Sequence, residues 1–239
     1  MGKLKAFFNR LWNRTDGKTP WVRRTLLILF TLFVPLPLVY LVIFRFVPVP
    51  VTPQMIGTFL TGEEVHQHWR SIDAMPASLK RSLIGSEDQN FCIHHGFDFE
   101  DIQIALKERE DGKRHRGAST ISQQVARTLF LTPARNWVRK GAEAWFTVLV
   151  EFVWPKKRIL EAYLNLVDLG HGNFGAEAAS QAYFHVPVAA LSPAQAARLI
   201  SILPNPDKWK ATSAGKRRLN RAFARTQEAT ENGMDWCVR

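Results

Sequence analysis

The sequence predicts a mostly α-helical domain that follows a single N-terminal transmembrane helix. Leu26 to Phe44 is an uncharged and almost wholly apolar run, close to the ~20 residues that a helix needs to cross a bilayer. Beyond it, apolar residues recur at helical spacing, and no strand-like alternation follows Phe59. With 239 residues, 46% of them hydrophobic, the chain can hold one sizeable core.

The N-terminal arm, residues 1–24, is basic, with seven Lys and Arg side chains against one Asp. The transmembrane segment, 25–45, contains Pro35 and Pro37, which membrane helices tolerate as kinks. A secretory signal peptide is the alternative, but its apolar region is usually ~7 to 15 residues long and ends in a small-residue cleavage site. Because Phe44–Pro48 offers no such site, a retained anchor is favoured. The positive-inside rule then places the arm in the cytoplasm and the remainder outside.

Residues 46–70 are expected to form a linker and a membrane-proximal segment, since Val and Pro alternate from Val47 to Pro53. A domain at 71–212 and a basic C-terminal helix and tail at 213–239 follow. The predicted helices are Ala77–Ile84, Phe99–Glu110, Ser119–Phe130, Trp137–Val153, Lys156–Val167, Ala176–Phe184, Ser192–Ile202 and Ser213 to about Thr230.

The net charge of +11 indicates an anionic partner. An extracytoplasmic domain argues against nucleic acid and leaves anionic lipid or a phosphate-bearing substrate. The basic C-terminal residues could face lipid headgroups, although a solvated face is the simpler interpretation; they are Lys208, Lys210, Lys216, Arg217, Arg218, Arg221 and Arg225.

The two cysteines, Cys92 and Cys237, belong to no Cys-x-x-Cys pair, so no zinc site is predicted. They could pair in an oxidising compartment. Because Cys92 lies inside a motif and Cys237 in the terminal tail, two unpaired thiols are the expectation.

The first candidate site is the segment Ser86-Glu-Asp-Gln-Asn-Phe-Cys-Ile-His-His-Gly96. Its adjacent carboxylates, Glu87 and Asp88, could supply a general base, because a partly dry pocket raises the pKa of a carboxyl toward working pH. A helix end with solvated acids and a buried histidine is the alternative.

A second candidate site follows Lys113 and Arg114 and begins at Arg116. Ser119 or its neighbour can cap a helix, and Thr120, Gln124 and Arg127 fall on one face at i, i+4 and i+7. This row of a hydroxyl, an amide and a cation indicates ligand contact. A helix cap plus an ordinary polar face is the alternative.

A third cluster sets Arg139 and Lys140 four and three residues before Glu143. Such pairs are commonly solvated and stabilise a helix by only ~0.2 to 0.5 kcal/mol. The apolar run that follows, Ala144–Val150, implies a helix that is deeply packed or touches the membrane. Cations at such a position could hold a pyrophosphate or a carboxylate.

Two further stretches are interpreted as structural. Glu161 and Asn165 are i, i+4 neighbours expected to support the fold by hydrogen bonds, and Tyr163 is assigned to the core. The glycine-rich loop Gly170–Gly175 is explained by close backbone packing.

Four motifs in order resemble those of the peptidoglycan glycosyltransferase family, over about Ser71 to Trp209. They are Glu87-Asp-x-x-Phe91-x-x-His94-x-Gly96, Gly117-x-Ser-Thr-Ile-x-Gln-Gln124, Arg139-Lys-x-x-Glu143 and Arg158-Ile-Leu-Glu-x-Tyr-Leu-Asn165. The resemblance implies a lysozyme-like glycosyltransferase domain with a small membrane-proximal lobe, in the monofunctional membrane-anchored form. Arg127 departs from the family pattern, where lysine is more frequent.

The implied reaction is polymerisation of lipid II into β-1,4 glycan strands with release of undecaprenyl pyrophosphate. Glu87 would be the general base for the acceptor 4-hydroxyl, and Glu143 the second carboxylate near the donor. The implied substrate-binding set is Asp88, Phe91, His94, Ser119, Thr120, Gln124, Arg127, Arg139 and Lys140, of which Asp88, Phe91 and His94 shape the first motif.

The chemistry of the leaving group agrees with this allocation. A glycosidase normally needs an acid as well as a base or nucleophile, whereas a pyrophosphate leaves without a proton if cations spread its charge. A lysozyme-like peptidoglycan-cleaving enzyme and a non-catalytic membrane scaffold remain the alternatives.

The resemblance also implies partners and a location. Lipid II, the growing strand and membrane lipid are the expected partners, together with other cell-wall synthesis or division proteins. No cofactor is required; Mg²⁺ or Mn²⁺ is compatible with a pyrophosphate, although no ligand spacing demands a metal. The expected location is the bacterial inner membrane, single-pass, with a periplasmic catalytic domain.

Overall fold

The computed structural model describes residues 20–112, 117–132, 136–213 and 215–239. Most of the predicted basic arm, together with Lys113, Arg114 and Arg116, lies outside these ranges. The described helices are α1 (Pro20–Phe33), α2 (Pro35–Phe44), α3 (Pro53–Leu60), α4 (Ala77–Glu87), α5 (Phe99–Glu110), α6 (Ile121–Phe130), α7 (Trp137–Val153), α8 (Lys156–Leu166), α9 (Ala176–Phe184), α10 (Pro193–Ile200) and α11 (Lys216–Glu231). The predicted mostly α-helical class is confirmed.

Helices α1 and α2 together form a stretch, Trp21–Phe44, that is long and apolar enough to cross a membrane. The helix is interrupted at Val34, directly before Pro35. Proline lacks an N–H and restricts the backbone of the residue that precedes it. The predicted kink is therefore present at the first of the two prolines.

The apolar helix packs along α7 through specific contacts. The indole Nε1 of Trp145 donates to the Phe33 carbonyl at 2.7 Å, and that of Trp154 donates to the Leu41 carbonyl at 2.7 Å. The rings of Phe33 and Phe146 stack with centroids 5.8 Å apart. Helix α7 thus joins the apolar N-terminal helix to the domain, in line with its own apolar sequence.

The core of the domain is built around α4 and α6. Helix α4 packs against α10 and α11, while α6 packs against α7 and α8. Leu83 and Ile84 of α4 are fully buried. At Gly85 a Cβ atom would lie 2.3 Å from the Arg225 carbonyl oxygen, so only glycine permits this approach of α4 and α11.

A two-stranded parallel sheet connects the membrane-proximal segment to the glycine-rich loop. Strand β1 (His66–Gln67) pairs with β2 (Asn173–Phe174). The sequence shows no strand-like alternation here, because a strand of two residues is too short to produce one. A Cβ atom on Gly172 would lie 1.9 Å from the Glu64 carbonyl oxygen, which confirms the close backbone packing.

Glu161 and Asn165 support the fold as predicted. The Asn165 amide donates to the Arg70 carbonyl and accepts from the Arg70 N–H, at 2.8 and 2.7 Å. Glu161 accepts from the Ile72 N–H at 2.9 Å. Both side chains therefore hold the segment that precedes α4 against α8.

The prediction of two unpaired thiols is wrong, because Cys92 and Cys237 form a disulfide with their Cα atoms 5.6 Å apart. The C-terminal tail folds back onto the domain instead of remaining free. Val238 is fully buried, and the buried Asp235 accepts from Arg81 Nε at 3.0 Å. The tail is therefore fixed close to the segment that follows Glu87.

Removal of the disulfide is expected to lower the free energy of unfolding by about 2 to 4 kcal/mol, because the bond closes a long loop in the unfolded chain. The two cysteines are 145 residues apart. Denaturant unfolding in oxidising buffer compares the free energy of unfolding of the Cys92→Ala/Cys237→Ala variant with that of the wild type. In excess reductant the two proteins should be equally stable. Equal stability in oxidising buffer would show that the bond does not constrain the chain.

Candidate active site

A cleft of about 1120 Å³ opens between the end of α4, the start of α6, the end of α8 and one face of α11. Its volume exceeds the ~300 to 1000 Å³ of typical small-molecule sites. Of the sequence-predicted site residues, those that line it are Glu87, Asp88, Ser119, Thr120, Gln124, Arg127 and Arg139. Phe91, His94, Lys140 and Glu143 lie outside this lining.

Glu87 is the last residue of α4 and is partly exposed at the cleft. Gln124 Nε2 donates to Glu87 Oε2 at 3.1 Å. Burial raises the pKa of the Glu87 carboxyl; the charge of Asp88 acts in the same direction, and the Gln124 hydrogen bond and the charge of Arg127 oppose it. A carboxylate with a raised pKa at an open cleft is suited to accept a proton.

Asp88 is buried and holds the first motif together. It accepts from His94 Nε2 at 2.9 Å and from the Ile121 N–H at 2.9 Å, which joins the loop to the start of α6. His94 Nδ1 in turn accepts from the Gly96 N–H at 3.1 Å. Phe91 is fully buried beneath Lys156, whose Nζ lies 4.6 Å from the ring centroid. These contacts fit a role in shaping the motif.

Thr120 is the cap of α6 and forms a capping box with Gln123. Its hydroxyl also donates to the Gly96 carbonyl at 2.7 Å. The sequence predicted that Ser119 or its neighbour caps this helix, and the cap is the neighbour, Thr120. Ser119 itself lies at the cleft, where its hydroxyl accepts from Lys140 Nζ at 3.3 Å.

The third cluster is not a solvated surface pair, since Glu143 is only 2% exposed. Arg139 Nη1 donates to Glu143 Oε2 at 2.6 Å, and Lys140 Nζ donates to the other carboxylate oxygen. Arg139 lines the cleft and Glu143 lies behind it. In this arrangement the Glu143 carboxylate holds two cations in place.

Sequence reasoning missed Tyr163, which it assigned to the core. The Tyr163 hydroxyl donates to Gln124 Oε1 at 3.0 Å, and the residue lines the cleft. A phenol on a buried helix face usually has a hydrogen-bond partner, and this is the one signal in the sequence that could have found it.

Three of the basic C-terminal residues also line the cleft, whereas the sequence suggested a lipid-facing or solvated face. They are Arg218, Arg221 and Arg225 of α11. The Arg218 guanidinium lies 4.1 Å from the centroid of the Trp209 ring. The packing of α11 on α4, which the sequence does not specify, brings these three side chains to the cleft.

Within the described ranges, no three His, Cys, Asp or Glu side chains are grouped so that they could hold a metal ion. The two carboxylates of the first motif are already engaged, Glu87 by Gln124 and Asp88 by His94 and a backbone N–H. The donor set of the motif therefore does not resemble a metal centre.

The chain is similar to known proteins over most of its length. The Transglycosylase family model matches residues 52–230. A biosynthetic peptidoglycan transglycosylase of Caulobacter vibrioides is 47% identical over 220 residues, which cover 91% of this chain and 96% of that protein. A protein of the same name from Chromohalobacter salexigens is 50% identical, and the match covers 80% of this chain and 86% of that protein. Another from Pseudomonas aeruginosa is 44% identical, and the match covers 87% of this chain and 92% of that protein. The chain therefore belongs to the transglycosylase family.

Proposed function

We propose that this chain is a peptidoglycan glycosyltransferase that polymerises lipid II into β-1,4 glycan strands with release of undecaprenyl pyrophosphate. The observation that carries this proposal is the position of the Glu87 carboxylate, which has a raised pKa and faces a cleft lined by arginines. Membership of the transglycosylase family and the names of the relatives support the same activity.

The proposed mechanism needs one base and no acid. Glu87 takes the proton from the 4-hydroxyl of the acceptor sugar, and that oxygen attacks C1 of the donor. The new C1–O4 bond forms opposite the breaking bond from C1 to the pyrophosphate oxygen, so the α-linked donor gives a β linkage. The pyrophosphate leaves with the electron pair and needs no proton.

Cations at the cleft would stabilise the charge that develops on the departing pyrophosphate. Arg127 and Arg139 line the cleft, and Lys140 reaches it through its contact with Ser119. A hydrolase of lysozyme type would have to protonate a sugar oxygen instead. Any Mg²⁺ or Mn²⁺ would enter as a counter-ion of the pyrophosphate, since the described residues offer no cluster of metal ligands.

The apolar N-terminal helix supports an anchor in the bacterial inner membrane. We infer a single pass with a cytoplasmic N-terminus, because the arm before it is basic. The domain would then be periplasmic, on the side where a disulfide is stable. Other cell-wall synthesis or division proteins remain predicted partners of this chain.

Product analysis tests the proposal. The full chain in detergent is incubated with labelled lipid II, and in parallel with preformed glycan strands. We expect high-mass polymer from lipid II that lysozyme digests, and intact strands in the parallel reaction. Soluble fragments from the strands without polymer would favour a cleaving enzyme, and no reaction from folded protein would favour a scaffold.

A further inference from the structure

A chain of hydrogen bonds leads from the core to Glu87. The Tyr163 hydroxyl donates to Gln124 Oε1 at 3.0 Å, and Gln124 Nε2 donates to Glu87 Oε2 at 3.1 Å. The same Nε2 lies 3.4 Å from the Ser119 carbonyl, a second acceptor. Each donor in this chain therefore faces an acceptor.

The direction of the chain follows from its chemistry. An ionised carboxylate can only accept hydrogen bonds, so the amide must present its NH₂ group to Glu87 and its carbonyl to Tyr163. The opposite orientation would set the amide oxygen against the carboxylate. A donor at the position of the Tyr163 hydroxyl favours the productive orientation.

Tyr163 is suited to remain a donor. It is 3% exposed. Burial raises the pKa of its phenol well above the usual value, and the negative charge of Glu87 adds to this. The phenol therefore keeps its proton at any pH at which the enzyme would work.

We propose that Tyr163 is a positioning residue for the catalytic base, acting through Gln124 to hold an N–H donor on the Glu87 carboxylate. The inference rests on the proposed function and adds to it a residue that helical spacing assigned to the core. Among the described residues, the charged and titratable groups that act on Glu87 are Asp88 beside it, Arg127 of α6 and Tyr163 of α8. Arg221 and Arg225 of α11 line the same cleft.

The Tyr163→Phe variant tests this role. It keeps the ring and removes only the donor, so we expect kcat to fall about tenfold with a smaller change in KM. The acid limb of the pH profile should move to higher pH, because a weaker Gln124 hydrogen bond stabilises the ionised form of Glu87 less. A purely structural role would not move this limb.

The matched control is Tyr183→Phe. The Tyr183 hydroxyl also makes a partly buried hydrogen bond, to the Leu169 carbonyl at 2.9 Å, but it has no described contact with Gln124 or Glu87. This variant should keep the pH profile of the wild type. If Tyr163→Phe gives the same kcat and the same acid limb as this control, the inference is wrong.

Two further variants complete the test. Gln124→Met leaves Tyr163 in place but removes the amide donor to Glu87, so the acid limb of the pH profile should again move to higher pH. This variant tests the same hydrogen bond if Tyr163→Phe does not fold. In the double variant, Tyr163→Phe should lower kcat little further than Gln124→Met does alone. If the two losses in activation free energy simply add, Tyr163 does not act through Gln124. An inactive wild type would instead refute the proposed function.

Discussion

Glu87→Gln is expected to lower kcat for lipid II polymerisation by at least about 10³-fold, because an amide cannot take the proton of the acceptor hydroxyl. The replacement has nearly the same shape and leaves the cleft intact. Glu87 ends α4 and is bonded to Gln124 alone among the described side chains, so the fold should not depend on its charge.

The measurement is the initial rate of polymer formation at saturating lipid II, beside the binding of lipid II to each protein. Glu100→Gln is the matched control, since this exposed glutamate of α5 lies outside the cleft. Glu87→Gln should bind lipid II as the wild type does, and Glu100→Gln should keep its rate. A Glu87→Gln rate within tenfold of the wild type would remove Glu87 from the mechanism.

Glu143→Gln is expected to lower kcat about 10²-fold or more, because Arg139 and Lys140 lose the carboxylate that holds them toward the leaving pyrophosphate. It should also lower the free energy of unfolding. Breaking a buried ion pair costs about 3 to 5 kcal/mol, but the Arg139 and Lys140 side chains are 17% and 40% exposed. Solvent screening therefore reduces the expected loss to about 1 to 3 kcal/mol.

Glu151→Gln separates the two effects of the Glu143 variant. Glu151 lies on the same helix, accepts from Lys156 Nζ at 2.6 Å and is likewise poorly exposed, but it does not line the cleft. Its replacement should lower stability with little loss of kcat. Equal losses of kcat in the two variants would mean that Glu143 acts only by stabilising the fold.

The helices could largely be predicted because their apolar faces repeat along the sequence. The predicted range for α7, Trp137–Val153, agrees with the structure, and α4 runs on past the predicted Ile84 to Glu87. Helix α3, Pro53–Leu60, lies in the range predicted as a linker and membrane-proximal segment, where no helix was predicted. Its signals were local: Thr52 caps it and Pro53 occupies its first turn.

The site could be predicted only where residue types and their spacing along the chain indicate chemistry. Glu87, Gln124 and Arg127 were found because spacing and residue type point to chemistry. The contribution of Tyr163 and the disulfide from Cys92 depend on which segments become neighbours in the fold. No pattern along the chain specifies such contacts, since they arise from the packing of α6 on α8 and from the return of the tail.

The pH dependence of polymerisation tests the role of Glu87 most directly. Burial raises the pKa of this carboxyl above its ordinary 4.5, and only the ionised form accepts a proton. The rate of the wild type should therefore fall as the pH drops through that raised pKa, while the residual rate of Glu87→Gln should not change over the same range. Circular dichroism at each pH confirms the fold. A wild-type rate that stays constant down to pH 4.5 in folded protein would contradict Glu87 as the base.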